Sequence, residues 1–152
     1  MRISFRGLYA LKALLHLAAE EERGLVKIHD IAEQEEIPEK FLEAILLVLK
    51  NARLVASQRG RDGGYRLRRP GAEITIGEVV RIIDGPLAPF GDAAELQHRV
   101  KTEPRHAGLF DLFLDVRNAA SDILDHTSLA DVVARNGVHR AKRARKAPPP
   151  RK

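Results

Sequence analysis

The sequence predicts a mainly α-helical protein, in which a winged helix-turn-helix domain with a two-stranded β wing precedes a long C-terminal dimerisation helix. Two observations indicate this fold class. Apolar residues recur at helical spacing through most of the chain, whereas residues 54–69 alone combine two short strand-like runs with a glycine-rich turn. We expect a winged domain at 1–85, a connecting segment at 86–105, helices at 106–138 and a basic tail at 139–152.

The winged domain opens with three predicted helices. Ser4 can cap a helix that runs to about Glu22, because apolar residues recur on one face at three- and four-residue steps: Leu8, Leu11, Leu15 and Ala18. A strand-like triplet at 26–28 and a short helix follow. Pro38 then opens a third helix to about Ala52, because proline is accommodated in a first helical turn.

Capping signals mark the later helices. Thr75–Glu78 forms a capping box, and the helix that it begins is expected to stop at Gly85-Pro86. A long amphipathic helix is expected from about 106 to 126. Ser128 can cap a last short helix, which should end at Asn136-Gly137.

The predicted wing carries a high density of positive charge. Its strands, 54–58 and 65–69, flank a tip whose three glycines, at 60, 63 and 64, allow a tight turn. Asp62 is the one acid between positions 50 and 69, against seven cations: Lys50, Arg53, Arg59, Arg61, Arg66, Arg68 and Arg69. A helix pair followed by a cationic ribbon, with a net charge of +6 over residues 50–69, suits the major groove and phosphates of DNA. A solvated charged hairpin is the simpler alternative.

Composition excludes several classes of protein. The longest apolar run is Ala44–Leu49, so no membrane span is expected. Arg6 and Lys12 interrupt the apolar positions of the first helix, so no secretory signal is expected either, and the cytoplasm is the expected location. The absence of cysteine excludes disulfides, thiolate metal sites and cysteine nucleophiles. The net charge is +5, but residues 139–152 supply +7 and leave −2 elsewhere. This tail lacks apolar periodicity, so we predict that it is disordered and either attracts DNA or aids solubility.

The predicted 106–126 helix requires a partner for its apolar residues. These form one stripe: Leu109, Phe113, Val116, Ala120, Ile123 and Leu124. Because the helix lies beyond the winged domain, we predict that the stripe packs on a second copy and forms a homodimer. Such a dimer would read a palindromic operator with two half-sites. Packing of the stripe on its own chain is the alternative.

Short motifs in a fixed order carry a family resemblance. They include Gly7-Leu8-Tyr9-Ala10-Leu11, Asp30-Ile31-Ala32-Glu33, Phe41-Leu42-Glu43, Gly63-Gly64-Tyr65-Arg66-Leu67, Ile74-Thr75-Ile76-Gly77-Glu78-Val79 and Gly85-Pro86-Leu87-Ala88-Pro89. The chain resembles the Rrf2 family of winged helix-turn-helix transcriptional regulators, which includes IscR, NsrR and CymR. The resemblance covers residues 1 to about 134 and implies a dimeric, sequence-specific DNA-binding regulator that represses transcription.

The resemblance also implies roles for individual residues. The 38–50 helix would enter the major groove, and Arg59 would enter the minor groove. Glu43 matches a base-contacting glutamate of the family, and a carboxylate facing DNA suits the amino group of cytosine. Lys40 and Ala44 depart from side chains found in some members, so no relative's operator is carried over. The full set of expected DNA contacts is Glu39, Lys40, Glu43, Ala44, Arg59, Gly60, Arg61 and Tyr9.

One feature of the family is missing. Many members hold an iron–sulfur cluster through three cysteines in the segment that corresponds to 91–106, and this chain has no thiol there. A conventional cluster is therefore excluded, and no cofactor is expected. His98, His106, Asp92 and Glu95 lack recognisable ligand spacing, so we interpret them as solvated rather than metal-binding. A small effector or a partner protein, acting at 86–105, is the expected signal.

Catalysis is not expected, because the possible acid–base residues are scattered. His126 and Asp125 are adjacent on a helix and do not face each other. Two other functions remain open. A protein-interaction module that does not read DNA would explain Leu47 on the presumed groove face and the acidic body, and a non-specific DNA-coating protein would rely on the tail. The Arg59 wing and Glu43 favour sequence-specific reading.

Overall fold

A computed structural model of the chain describes residues 2–146. Its elements are α1 (Phe5–Ala19), α2 (Ile28–Glu35), α3 (Glu39–Asn51), β1 (Val55–Gln58), β2 (Gly64–Leu67), α4 (Ile76–Asp84), α5 (Ala93–Thr102), α6 (Ala107–Asp125) and α7 (Leu129–Lys146). The predicted fold class, mainly α with a two-stranded wing, is confirmed. Within residues 2–146, no helix has the length and apolarity that crossing a membrane requires.

Helix α1 lies at the centre of the winged domain and contacts α2, α3, α4 and α7. Ser4 caps it as predicted, since its Oγ accepts a hydrogen bond from the Gly7 amide at 2.9 Å. The buried face is rotated from the predicted one: Leu8 is 44% exposed, whereas Ala10 and Ala13 are fully buried. Small side chains at 10 and 13 let neighbouring helices approach closely, which an apolar-periodicity argument based on leucines does not detect.

Strand β2 of the wing is paired on both of its edges. Strand β1 pairs antiparallel with β2, from Val55 opposite Leu67 to Gln58 opposite Gly64. On the other edge of β2, Val26 exchanges two backbone hydrogen bonds of 2.8 Å with Tyr65, so the strand-like triplet at 26–28 forms a single bridge. A Cβ atom on Gly64 would lie 2.6 Å from the Val26 carbonyl oxygen, so only glycine permits this contact. The wing is thereby fixed to the body of the domain.

Gly64→Ala should therefore destabilise the protein by about 1–3 kcal/mol, because the added methyl meets backbone that cannot move aside. The free energy of unfolding from urea titration measures this effect. Gly137→Ala is the matched control, since Gly137 lies in α7 with no atom within 4 Å of its would-be Cβ. That control should stabilise by about 0.5–1 kcal/mol. Equal effects of the two substitutions would contradict the close approach at Val26.

Helix α4 begins and ends where the sequence predicts. Thr75 Oγ1 accepts a hydrogen bond from the Glu78 amide at 3.1 Å, and Gly85 ends the helix at a φ of 83°. The Glu78 carboxylate, however, does not complete the expected capping box. It accepts a 2.5 Å hydrogen bond from Arg69 instead, because the end of the wing passes beside the first turn of α4. Arg69 is therefore paired and does not belong to the free charge of the wing.

An ion pair joins α4 to the end of α6. Arg81 donates two hydrogen bonds, of 2.5 and 2.8 Å, to the two carboxylate oxygens of Asp125. This hydrogen bonding lowers the pKa of Asp125 below its usual value. A lowered folded-state pKa adds stability above the unfolded-state pKa of about 3.9, and that stability disappears as the pH falls through the folded-state value.

Asp125→Asn should accordingly reduce the free energy of unfolding near neutral pH, and the reduction should shrink towards zero as the pH falls through the lowered pKa of Asp125. We expect less than about 1 kcal/mol, because the two side chains are 40% and 37% exposed and solvent screens their attraction. Urea titrations at several pH values measure the difference. If the difference in the free energy of unfolding between the wild type and Asp125→Asn grew as the pH fell, the result would contradict a stabilising Arg81–Asp125 ion pair.

Helix α7 corrects two predictions. Ser128 caps the helix as predicted, since its Oγ accepts a hydrogen bond from the Asp131 amide. The Asp131 carboxylate in turn accepts a 2.9 Å hydrogen bond from the Ser128 amide, which lowers the pKa of Asp131. The helix, however, continues through Asn136-Gly137 to Lys146. One glycine costs about 1 kcal/mol, which the alanine, arginine and lysine residues that follow can offset. The predicted disorder of the tail is therefore wrong for residues 139–146, and residues 147–152 lie outside the described part of the chain.

Candidate nucleic-acid interface

A groove of about 390 Å³ lies between α3 and the wing. The helix side contributes Glu43, Leu47 and Lys50, and the wing side contributes Ser57, Gln58, Arg59 and Tyr65. The groove places acidic, cationic and polar side chains along one concave surface. Sequence reasoning identified Glu43 and Arg59, but it missed Ser57, Gln58 and Tyr65, since only the pairing of β1 with β2 turns these residues towards α3.

The exposed face of α3 lies opposite the side chains that this helix buries in the core. Leu42, Ile45, Leu46 and Leu49 are 0–1% exposed, so the opposite face is left in solvent. That face presents the predicted contacts Glu39, Lys40, Glu43 and Ala44, all of which are exposed. The Glu39 Oε2 atom lies 3.5 Å from Nδ1 of His29 in α2. Lys40 and Glu43 have no ion-pair partner within the described residues.

The wing tip projects its cations away from the core. Arg59, Gly60 and Arg61 are exposed, and the tip is closed by a 3.1 Å hydrogen bond from the Gly63 amide to the Gly60 carbonyl. In residues 2–146, neither arginine of the tip has a carboxylate within 4.0 Å. Unpaired arginines on a tight turn are free to approach phosphates or to enter a groove.

Tyr9 reaches the same region from α1. Its ring meets the edge of Phe41 with 5.7 Å between the centroids, and Phe41, in the first turn of α3, is 44% exposed. The contact brings the amino-terminal parts of α1 and α3 side by side. Tyr9 is half-buried, and its ring supports the first turn of α3 through this contact.

A second candidate surface lies on α6, which has three distinct faces. The buried face includes Phe110 and Ser121, each 8% exposed, and a second face is polar: Asp111, Asp115, Asn118 and Asp122. The third face is an exposed apolar stripe. Its large members are between 43% and 65% exposed: Leu109, Leu112, Val116 and Ile123.

The observed stripe differs in part from the predicted one. Phe113 stacks on Phe90 with 4.4 Å between ring centroids, and it contacts Phe110, so it holds α6 against the connecting segment of its own chain. Ala120 is half-buried, whereas the exposed Leu112 was not predicted. The predicted set therefore lies partly on the intramolecular side, because periodicity alone does not show how much of α6 is covered by α5.

Comparison with known proteins identifies the family. The profile of the Rrf2 family, described as iron-dependent transcriptional regulators, matches residues 3–135. The chain belongs to the Rrf2 family. It is 42% identical over 134 residues to a protein of Mycobacterium tuberculosis H37Rv named as a helix-turn-helix regulator, covering 87% of this chain and 81% of that protein. It is 33% identical to CymR of Bacillus subtilis, covering 88% and 91%.

Solved Rrf2 structures have the same fold. The structure of CymR, named as the global cysteine regulator of B. subtilis, superposes with a TM-score of 0.74 at 30% identity, covering 88% of this chain and 97% of that one. IscR of T. potens superposes with a TM-score of 0.68 at 27% identity, covering 97% and 93%. The protein is accordingly a DNA-binding transcriptional regulator of the Rrf2 family and not an enzyme.

The iron named in the family description does not fit the donors of this chain. The sequence has no cysteine, and no group of three potential ligands comes together among residues 2–146. The acids considered from sequence have other partners: Asp92 caps α5 by accepting from the Glu95 amide at 2.8 Å, and Glu95 lies 3.4 Å from Arg99. Cluster iron requires thiolates for most of its ligation, so this Rrf2 protein departs from the family at that site.

Proposed function

We propose that this protein is a homodimeric, sequence-specific repressor that acts in the cytoplasm without an iron–sulfur cluster. The observation that carries the proposal is the shared groove, in which Glu43 of α3 and Arg59 of the wing line one concave surface. A carboxylate accepts from a cytosine amino group in the major groove, and arginine reads a narrow minor groove. The two side chains together would read both base identity and DNA shape.

The stripe on α6 supports the dimer. Four large apolar side chains, at steps of three, four and seven residues, form a seam that suits the same seam on a second copy. A two-fold dimer presents its α3 helices to two half-sites, so the operator should be palindromic. Repression follows where the operator overlaps a promoter, because a dimer bound there excludes the polymerase.

One observation favours a second candidate function. Leu47 is 58% exposed and lines the groove, where it could contact a protein surface instead of DNA. On DNA, Leu47 could instead make an apolar contact with a thymine methyl group in the major groove. Selection of bound duplexes from a random library separates the two functions. Enrichment of a palindrome supports the repressor. If the protein is folded and no sequence is enriched, the result supports the protein-interaction module.

Signal input is proposed to differ from that of cluster-bearing relatives. The purified protein should be colourless, and its affinity for the selected operator should be the same under reducing, oxidising and nitric-oxide-treated conditions, since no thiolate is present to hold iron or to be oxidised. Absorption spectra after anaerobic reconstitution and gel-shift titrations measure this. An iron–sulfur absorption band, or redox-dependent binding, would overturn the proposal.

The connecting segment at 86–105 is the proposed point at which an effector or partner protein acts. Its α5 packs on α6, Leu96 of α5 is buried, and Arg99 lies over the Phe110 ring at 5.4 Å. Because α5 contacts the helix proposed to form the dimer, a ligand that shifts α5 would change the separation of the two α3 helices. Fit to the half-sites would then change with it.

A further inference from the structure

The carboxy-terminal part of α7 lies outside the family match, which ends at residue 135, yet the helix continues to Lys146. We refer to residues 140–146 as the basic extension. It carries no acid, and its five cations are exposed: Arg140, Lys142, Arg143, Arg145 and Lys146. Within the described residues none of the five is ion-paired.

The direction of α7 follows from what its residues lie beside. Val133 lies in a cleft with Ala19 and Glu22, at the end of α1. Arg140, seven residues later, lines a cleft with Lys12 and with Glu35 of α2. Seven residues correspond to about 10.5 Å along a helix, which matches the step from Ala19 back to Lys12. Helix α7 therefore runs antiparallel to α1.

The same direction leads to the candidate DNA interface. Beyond Arg140 the helix rises about 9 Å further to Lys146, while α1 continues from Lys12 towards Tyr9. Tyr9 is the residue that packs on Phe41 at the beginning of α3. The basic extension is thus aimed at the edge of the domain where α3 meets DNA in the proposed function, and not at the opposite surface.

We infer that the basic extension binds the phosphate backbone of DNA outside the half-site that α3 reads. The inference rests on the proposed function and on two observations, namely the unpaired charge of the extension and its continuity with the α1–α3 edge. Lysine and arginine on an exposed helix contact phosphates without reading bases. The extension should therefore add affinity and salt dependence, and it should leave the preferred sequence unchanged.

The test compares a variant that carries both Lys142→Gln and Lys146→Gln with a matched control that carries both Arg23→Gln and Arg135→Gln. The control also removes two charges per chain, but from exposed positions near the opposite end of α7. Glutamine retains helix propensity, and circular dichroism verifies that α7 persists. Binding of each protein is measured against salt concentration on two duplexes, the selected operator alone and the operator with ten added base pairs on each side. Hydroxyl-radical footprinting on the longer duplex locates the protected backbone.

We expect the extension variant to flatten the salt dependence on the longer duplex by about 0.9 in logarithmic slope for each phosphate that the extension no longer neutralises. The difference should be smaller on the short duplex, the flanking protection should disappear, and the control should match the wild type. An unchanged slope and footprint would overturn the inference while leaving the repressor intact. An acidic protein would then be the better partner for the extension. Failure of the wild type to select any operator would instead reject the proposed function.

Discussion

Substitution of glutamate for both Leu112 and Val116 is expected to leave the protein folded but monomeric. The two side chains are 55% and 43% exposed in the single chain, so their replacement removes little from the core. In the proposed dimer, each uncompensated charge would be buried at a cost of about 3–5 kcal/mol. Light scattering measures the mass of the protein, and thermal unfolding shows whether the fold is retained.

The same variant should lose operator affinity by at least about a hundredfold, because linkage of two binding modules typically contributes a factor of 10²–10⁴. Asn118→Glu is the control, since it adds one negative charge to the polar face of α6 instead of to the apolar stripe. Phe113 is a poorer choice for this test, because its stacking on Phe90 at 4.4 Å also stabilises the single chain. A stable dimer of the double variant would place the dimer interface elsewhere.

Arg59→Ala and Glu43→Ala are expected to affect DNA binding in different ways. Removal of Arg59 should weaken binding and reduce discrimination by groove width, because arginine in a narrow minor groove responds to its potential as well as to phosphate charge. Removal of Glu43 should relax the base preference at one position of each half-site. A specific base contact is worth about 1–3 kcal/mol, or about five- to 150-fold in discrimination.

Matched substitutions separate charge from geometry at these two positions. Arg59→Lys keeps the charge and removes the planar guanidinium, so it should retain the salt dependence but not the shape preference. Glu43→Gln keeps the shape of the side chain and removes the negative charge that opposes phosphates, so its affinity for random DNA should rise. Site selection with each variant measures the preferences. Identical selected sequences for the wild type and Glu43→Ala would exclude α3 as the reading helix.

Much of the winged domain could be predicted because its signals are local. Ser4 and Thr75 cap helices through hydrogen bonds to amides three residues later, and Gly85 ends α4. Each signal depends on residues that are adjacent in sequence, so neighbouring elements do not alter it. The predicted end of α7 at Asn136-Gly137 is wrong, because a single glycine is a weak stop signal and the good helix formers that follow it offset its cost.

The sequence by itself determined the fold class, the cationic wing, the acid on α3 and the absence of thiolate chemistry, because these follow from local spacing and residue type. The tertiary structure decided which side chains share a surface. Strand pairing places Ser57 and Tyr65 in the groove with Glu43. Arg69 pairs with Glu78 and does not add to the free charge of the wing, and Phe113 stacks on Phe90 of the same chain instead of facing a second copy. These outcomes depend on contacts between elements distant in sequence, and helical or strand periodicity contains no information about such contacts.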